Sequence, residues 1–173
     1  MTSEGENQYR ELNKLLSMIR TFDAVNRYLQ IELSKLGFSP ITFAIMNALY
    51  VHNGRMMPTA ISKWTFRTRH TISKDLDTLE KQGHVRRERG KDRRSIDIVV
   101  TEEGWRKIET VRPLAQEMSR RALSALNREQ LQALMITQKQ LRKHLDEEIK
   151  NSLTTGPMIL KSRPRQHKRM DTR

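Results

Sequence analysis

The sequence predicts a mainly α-helical fold with one small β-hairpin, on three observations. Residues 68–83, TRHTISKDLDTLEKQG, place Ile72, Leu76 and Leu79 at helical spacing, and Gly83 follows as a residue that tolerates positive φ. HVRRER, GKDRRS and IDIVV then read as strand, cationic turn and strand. Outside this module, two apolar stripes, Leu12 to Leu36 and Leu131 to Ile149, advance in alternating steps of three and four. A helix with a polar outer face beside a basic hairpin has the parts needed to read DNA in two grooves. The prediction is a winged helix-turn-helix DNA-binding module flanked by long N- and C-terminal dimerisation helices.

The N-terminal stripe is Leu12, Leu15, Ile19, Phe22, Asn26, Leu29, Leu33 and Leu36 on one long helix. Asn26, its one polar member, can fix register, face a cavity or sit as a tolerated boundary residue. Gly37 breaks this helix. Ser39 and Pro40 start the next as N-cap and first helical residue. Ile41, Phe43, Ile45, Met46, Leu49 and Tyr50 fit a short buried helix, which Asn53-Gly54 stops. Arg55 to Met57 predicts a short strand able to pair with the wing. Thr59 to Trp64 then predicts the supporting helix, with Trp64 in the core.

In the recognition helix, a buried Ile72 puts His70, Ser73, Lys74, Asp77 and Lys81 on the opposite face, at about 100° per residue. Thr101 caps the following helix, where Trp105, Ile108, Val111, Ala115, Met118 and Ala122 share one side and Pro113 predicts a kink. Asn127 and Gln130 form an N-terminal capping pair for the last helix. Its stripe is Leu131, Leu134, Gln138, Leu141, Leu145 and Ile149. The expected organisation is a dimerisation helix over 1–38, the DNA-binding module over 39–100, dimerisation helices over 101–152 and a basic, disordered tail over 153–173.

The chain has 173 residues, 36% of them hydrophobic, a net charge of +13 and no cysteine. Disulfides, thiolate metal sites and cysteine redox switching are therefore excluded. The absence of a long apolar run and of a signal-peptide pattern in MTSEGENQYR predicts a cytoplasmic protein without membrane partners. Charge is uneven: +1 over residues 1–58, +6 over 59–95, +1 over 96–150 and +5 over 151–173. Such clustering points to a polyanionic partner, here double-stranded DNA. The five histidines are scattered with no i, i+4 pair, and no P-loop, G-x-G-x-x-G or nucleophile elbow occurs. No catalytic residue, metal site or cofactor is assigned.

Leu79-Glu80-Lys81-Gln82-Gly83, Asp92-Arg93-Arg94 and Thr101-Glu102-Glu103-Gly104 resemble, in order and spacing, the L-E-x-x-G, D-x-R and T-x-x-G signatures of the MarR (multiple antibiotic resistance regulator) family. The likeness extends less sharply over residues 10–150. It departs in a slightly shorter wing and in Asp75, where an apolar residue is common. The resemblance implies a homodimeric transcriptional regulator, a repressor relieved by a small-molecule ligand. It also implies an effector pocket where the first, second and fifth helices meet the module, for which Phe22, Asn26, Tyr50 and Trp105 are nominated.

For major-groove entry the candidates are Thr68, Arg69, His70, Ser73 and Lys74, with Arg69 able to bind guanine in bidentate fashion or to grip a phosphate. The wing tip, Lys91, Arg93 and Arg94, suits the minor groove, with Asp92 in a structural role. Arg86, Arg87 and Arg89 track phosphates or stay solvated, and strand alternation keeps them from sharing one side. The alternative function is an architectural, nucleoid-type protein with little sequence preference. Ser, Thr, His and Asp mixed with Lys on the recognition face favour the specific reader.

Overall fold

The computed structural model describes residues 3–90 and 95–155, with side chains over 9–90 and 95–154. The wing-tip candidates Lys91, Asp92, Arg93 and Arg94, and the basic tail beyond Thr155, lie outside the described residues. The element order is α1 (Ser3–Ser34), α2 (Pro40–Val51), β1 (Arg55–Met56), α3 (Pro58–Thr65), α4 (Arg69–Lys81), β2 (Val85–Arg89), β3 (Ile96–Val100), α5 (Glu102–Leu123) and α6 (Arg128–Thr155). The chain divides into two compact units, Met1–Ala122 and Leu123–Arg173. No helix among the described residues is long and apolar enough to cross a membrane.

The first unit is built around α2. Ser39 caps it through a capping box with Thr42: the Thr42 N–H donates to the Ser39 hydroxyl at 3.1 Å, and the Ser39 N–H to the Thr42 hydroxyl at 2.9 Å. Ile45, Met46, Ala48 and Leu49 are fully buried on this helix. Against them pack Leu33 of α1, Ile61 of α3, Ile72, Leu76 and Leu79 of α4, Ile98 of β3 and Ile108 of α5, all in one core cluster. Asn53 and Gly54 leave α2 with φ of 57° and 78°, a left-handed exit that turns the chain into β1.

The sheet has three antiparallel strands in the order β1-β3-β2. Residues Arg55 and Met56 pair with Val99 and Ile98, so the short strand predicted before α3 does extend the wing. In β2–β3, Val85 faces Val100, Arg87 faces Ile98 and Arg89 faces Ile96.

Two elements depart from the sequence-based expectation. Trp64, assigned to the core, is 38% exposed. Ile61 is the buried residue of α3, and Trp64, three residues on, falls about 60° to one side of it. The N-terminal stripe is divided. Leu33 is buried and Leu29 and Leu36 pack on the core, whereas Leu12, Leu15, Ile19 and Phe22 are exposed. The helix α5 continues through Pro113 from Glu102 to Leu123. In the second unit, the predicted capping pair opens α6: the Gln130 N–H donates to Asn127 Oδ1, and the Asn127 N–H to Gln130 Oε1, both at 2.9 Å.

Candidate nucleic-acid interface

The candidate surface begins at the turn between α3 and α4. Phe66 sits there with φ 54°, a left-handed conformation that ends α3 sharply. The turn is held from both sides, since the Ser62 hydroxyl donates to the Arg67 carbonyl at 2.6 Å and the Arg67 N–H to the Ser62 carbonyl at 3.1 Å. Thr68 then caps α4, its hydroxyl accepting from the Thr71 N–H at 3.2 Å and bonding the Thr71 hydroxyl at 2.8 Å. Thr68 is thus the residue that fixes where α4 starts.

From this cap, Arg69, His70, Ser73 and Lys74 project as exposed side chains while Ile72, Leu76 and Leu79 anchor the other face. Neither Arg69 nor Lys74 makes an ion pair with a described residue. Their charges are available to an external anion. Arg67, missing from the sequence-based set, is exposed beside them at the turn, and only turn geometry, invisible to periodicity, brings it there.

Asp75 is half-buried on α4. Burial pushes its carboxyl above the usual aspartate range, against an opposing pull from Arg67.

The wing arginines separate by strand alternation. On one face of the hairpin, Arg87 reaches back to α4, with Nη2 2.5 Å from Asp77 Oδ1 and Nη1 on Glu80. Its backbone N–H also donates to Glu80 Oε1 at 3.1 Å. Arg89, two residues on, shares that face, is exposed, and forms no ion pair with a described residue.

On the other face, Glu88 stands directly opposite Asp97, a cross-strand pair of like charges. Arg55 of β1 neutralises it, contacting Glu88 and lying 3.1 Å from Asp97, while Arg86 is 2.6 Å from Glu88. Hydrogen bonds from Arg55 and Arg86 hold the Glu88 carboxyl below its ordinary value. Of the three strand arginines, only Arg89 is left unpaired by the described carboxylates.

The residues nominated for an effector pocket do not all meet. Tyr50 and Trp105 pack edge to face, with centroids 5.5 Å apart, and the Arg112 guanidinium lies 3.8 Å from the Tyr50 ring centre. Phe22 and Asn26 are exposed on α1. An open groove of about 320 Å³ lies between α2 and α5, lined by Phe43, Asn47, Arg112, Ala115, Gln116 and Ser119.

Residues 36–95, which contain α2 to β2 and end just before β3, match the model of the MarR family. This segment folds as a winged helix-turn-helix and is similar to the MarR family over those residues. No curated protein matches the chain. Among solved structures it is similar to AbsC, a MarR family transcriptional regulator from Streptomyces coelicolor, at 23% identity and TM-score 0.71, covering 85% of this chain and 97% of that one. It is also similar to an organohalide-sensing transcriptional regulator in a 2,4-dichlorophenol-bound form, at 19% identity and TM-score 0.72, covering 83% and 86%. A third is a cysteine-to-serine mutant of MarR from E. coli complexed with operator DNA, at 20% identity and TM-score 0.65, covering 78% and 96%. At these identities the likeness is one of fold.

Two of the motifs that resemble MarR-family signatures dock on each other in this chain. The Thr101 hydroxyl donates to the Gly83 carbonyl at 2.5 Å and accepts from the Gly104 N–H at 3.0 Å. The Thr101 N–H donates to the His84 carbonyl at 3.1 Å. Gly104 lies so close to that carbonyl that a Cβ there would overlap it. The end of L-E-x-x-G and the start of T-x-x-G therefore form one joint, from which the wing departs.

Proposed function

We propose that this protein is a sequence-specific, DNA-binding transcriptional regulator that acts as a homodimer, a repressor whose DNA affinity a small molecule reduces. The observation that carries DNA binding is the sorting of cations: Arg69 and Lys74 on the recognition helix, and Arg89 on the same side of the hairpin as that helix, lack described acidic partners. Arg86 and Arg87 are neutralised within the protein. Unpaired cations beside Ser73 and His70 supply both phosphate contacts and hydrogen-bonding groups for base edges. Thr68 serves by capping and Asp92 by holding the wing turn. Lys91, Arg93 and Arg94 enter the minor groove.

Dimerisation is supported by the apolar residues that α1 and α6 leave exposed. Leu12, Leu15, Ile19 and Phe22 lie along one stripe of α1, and Leu134, Leu145 and Ile149 along one stripe of α6. A second copy of the chain covers them and sets two recognition helices on one duplex.

The effector reading is supported by the α2–α5 groove, whose volume is at the lower end of the range for small-molecule sites. A ligand-bound regulator of the same fold lends it weight. A ligand there acts by favouring one separation of the two recognition helices.

Selection from a random duplex library tests this function. Enrichment of a two-fold pair of half-sites, about 34–36 Å or a multiple of it apart, is expected. Recovery of no preferred sequence would move the chain to the architectural, nucleoid-type class.

A further inference from the structure

We infer that Arg87 is a positioning residue, a strut that fixes the angle between the wing and the recognition helix. This rests on the DNA-binding reading above but assigns Arg87 no contact with DNA. A recognition helix and a wing that enter different grooves must match a spacing set by the duplex, so the angle between them matters to both contacts.

Arg87 is the side chain that spans the two elements. It stands mid-strand in β2, and its guanidinium reaches two carboxylates one helical turn apart on α4, Asp77 and Glu80. Glu80 also accepts the Arg87 backbone N–H at 3.1 Å, so a single carboxylate holds both the strand and its side chain. The guanidinium presents Nη2 to Asp77 and Nη1 to Glu80 in a fixed planar fork, a geometry that the rotatable donors of an ammonium do not hold.

Electrostatics point the same way. One positive and two negative charges leave this cluster at −1, the wrong sign for gripping a phosphate. Exposed ion pairs add little to global stability, so the cluster acts on orientation rather than on folding. It accounts for the neutralisation of Arg87, whereas Arg89, on the same face of β2, has no described acidic partner.

A charge swap tests the strut in the full-length protein. R87A and R87E are expected to weaken binding to the selected duplex about tenfold, the loss that follows when one good contact is misaligned. The double variant R87E/D77R reverses the Asp77 pair, leaves Glu80 to accept the N–H of residue 87, and should recover binding to within about threefold of the unmodified protein. The salt slope of R87A should match that of the unmodified protein. A swap that stays as weak as R87E, or an R87A slope lower by about one phosphate contact, overturns the strut and makes Arg87 a phosphate ligand.

R87K gives a second arm that preserves charge. It should also lose affinity, and full retention counts against the strut. Amide hydrogen exchange of the free protein reads the same contact without DNA. R87A should speed exchange in β2 and β3 but not in α2, and R87E/D77R should reverse this. Unchanged strand exchange overturns the strut. Failure of the unmodified protein to select any duplex, with the exchange result intact, refutes the DNA reading and leaves the strut standing.

Discussion

Replacing Gly104 with Ala sets two effects of opposite sign against each other. Gly104 lies in the first turn of α5, where alanine is intrinsically favoured over glycine by up to about 1 kcal/mol. With no contact at the Cβ position, the variant would be the more stable protein. An added Cβ, however, would overlap the His84 carbonyl oxygen and stand 2.9 Å from both the His84 carbonyl carbon and Val100 Cγ1. The carbonyl is backbone and accepts the Thr101 N–H, so it cannot swing aside without loosening the joint between the two signatures. Overpacking of this kind costs about 1–3 kcal/mol. Loss of the Thr101 bond adds about 0.5–1.5 kcal/mol. The net expectation is destabilisation by about 1–3 kcal/mol once helix propensity is subtracted. Urea unfolding followed by circular dichroism measures it, as a lower midpoint at unchanged slope. An Ala variant as stable as the parent, or more so, would show that the close approach at Gly104 is not the reason for glycine there.

Removing the cap of the recognition helix in T68A should cost about 1 kcal/mol of stability, seen by the same unfolding assay, and should fray the turn that presents Arg69. R69A or K74A should weaken binding to the selected duplex by about 1–3 kcal/mol and, for a base-reading residue, relax preference at one position. R89A should weaken selected and random duplexes alike, which competition binding distinguishes. In L145E, a charge placed on the α6 stripe should convert a dimer to a monomer in sedimentation and abolish operator binding with it; a dimer that persists would place the interface elsewhere. Because the folded protein raises the pKa of Asp75 by burial, its charged form costs stability. That cost is absent below the ordinary aspartate range and grows as pH rises through the two pKa values. D75N should therefore be more stable than the parent at neutral pH, with the advantage fading as pH falls through the carboxylate range; an advantage independent of pH would assign it to packing instead.

Elements defined by local chemistry were readable from the sequence. The Ser39-Pro40 start of α2, the Asn53-Gly54 exit, the Ile72-Leu76-Leu79 face and the Asn127-Gln130 cap depend on side chains within a turn or two of one another, so spacing alone reveals them. The exposure of His70, Ser73 and Lys74 was readable as well, since it follows from helical phase. What spacing does not carry is the pairing of charges across elements. Arg86, Arg87 and Arg89 are adjacent and alike in sequence, and only the β2–β3 register with the placement of α4 and β1 gives them different partners. Trp64 failed for a related reason, because in a helix as short as α3 one buried residue sets the phase and a neighbour about 60° away falls on the rim.

On the proposed function, the α4 surface reads sequence rather than charge alone. The most direct measurement is the ratio of affinities for the selected duplex and for a random duplex of equal length at one fixed salt concentration, for the parent protein and for S73A, R69A and K74A. A sequence reader is expected to favour its site by about 10³-fold or more, and at least one of the three substitutions should cut that ratio while leaving random binding nearly unchanged. A ratio near one for the parent, with each substitution lowering both affinities equally, would contradict base reading and leave a protein that binds DNA through charge.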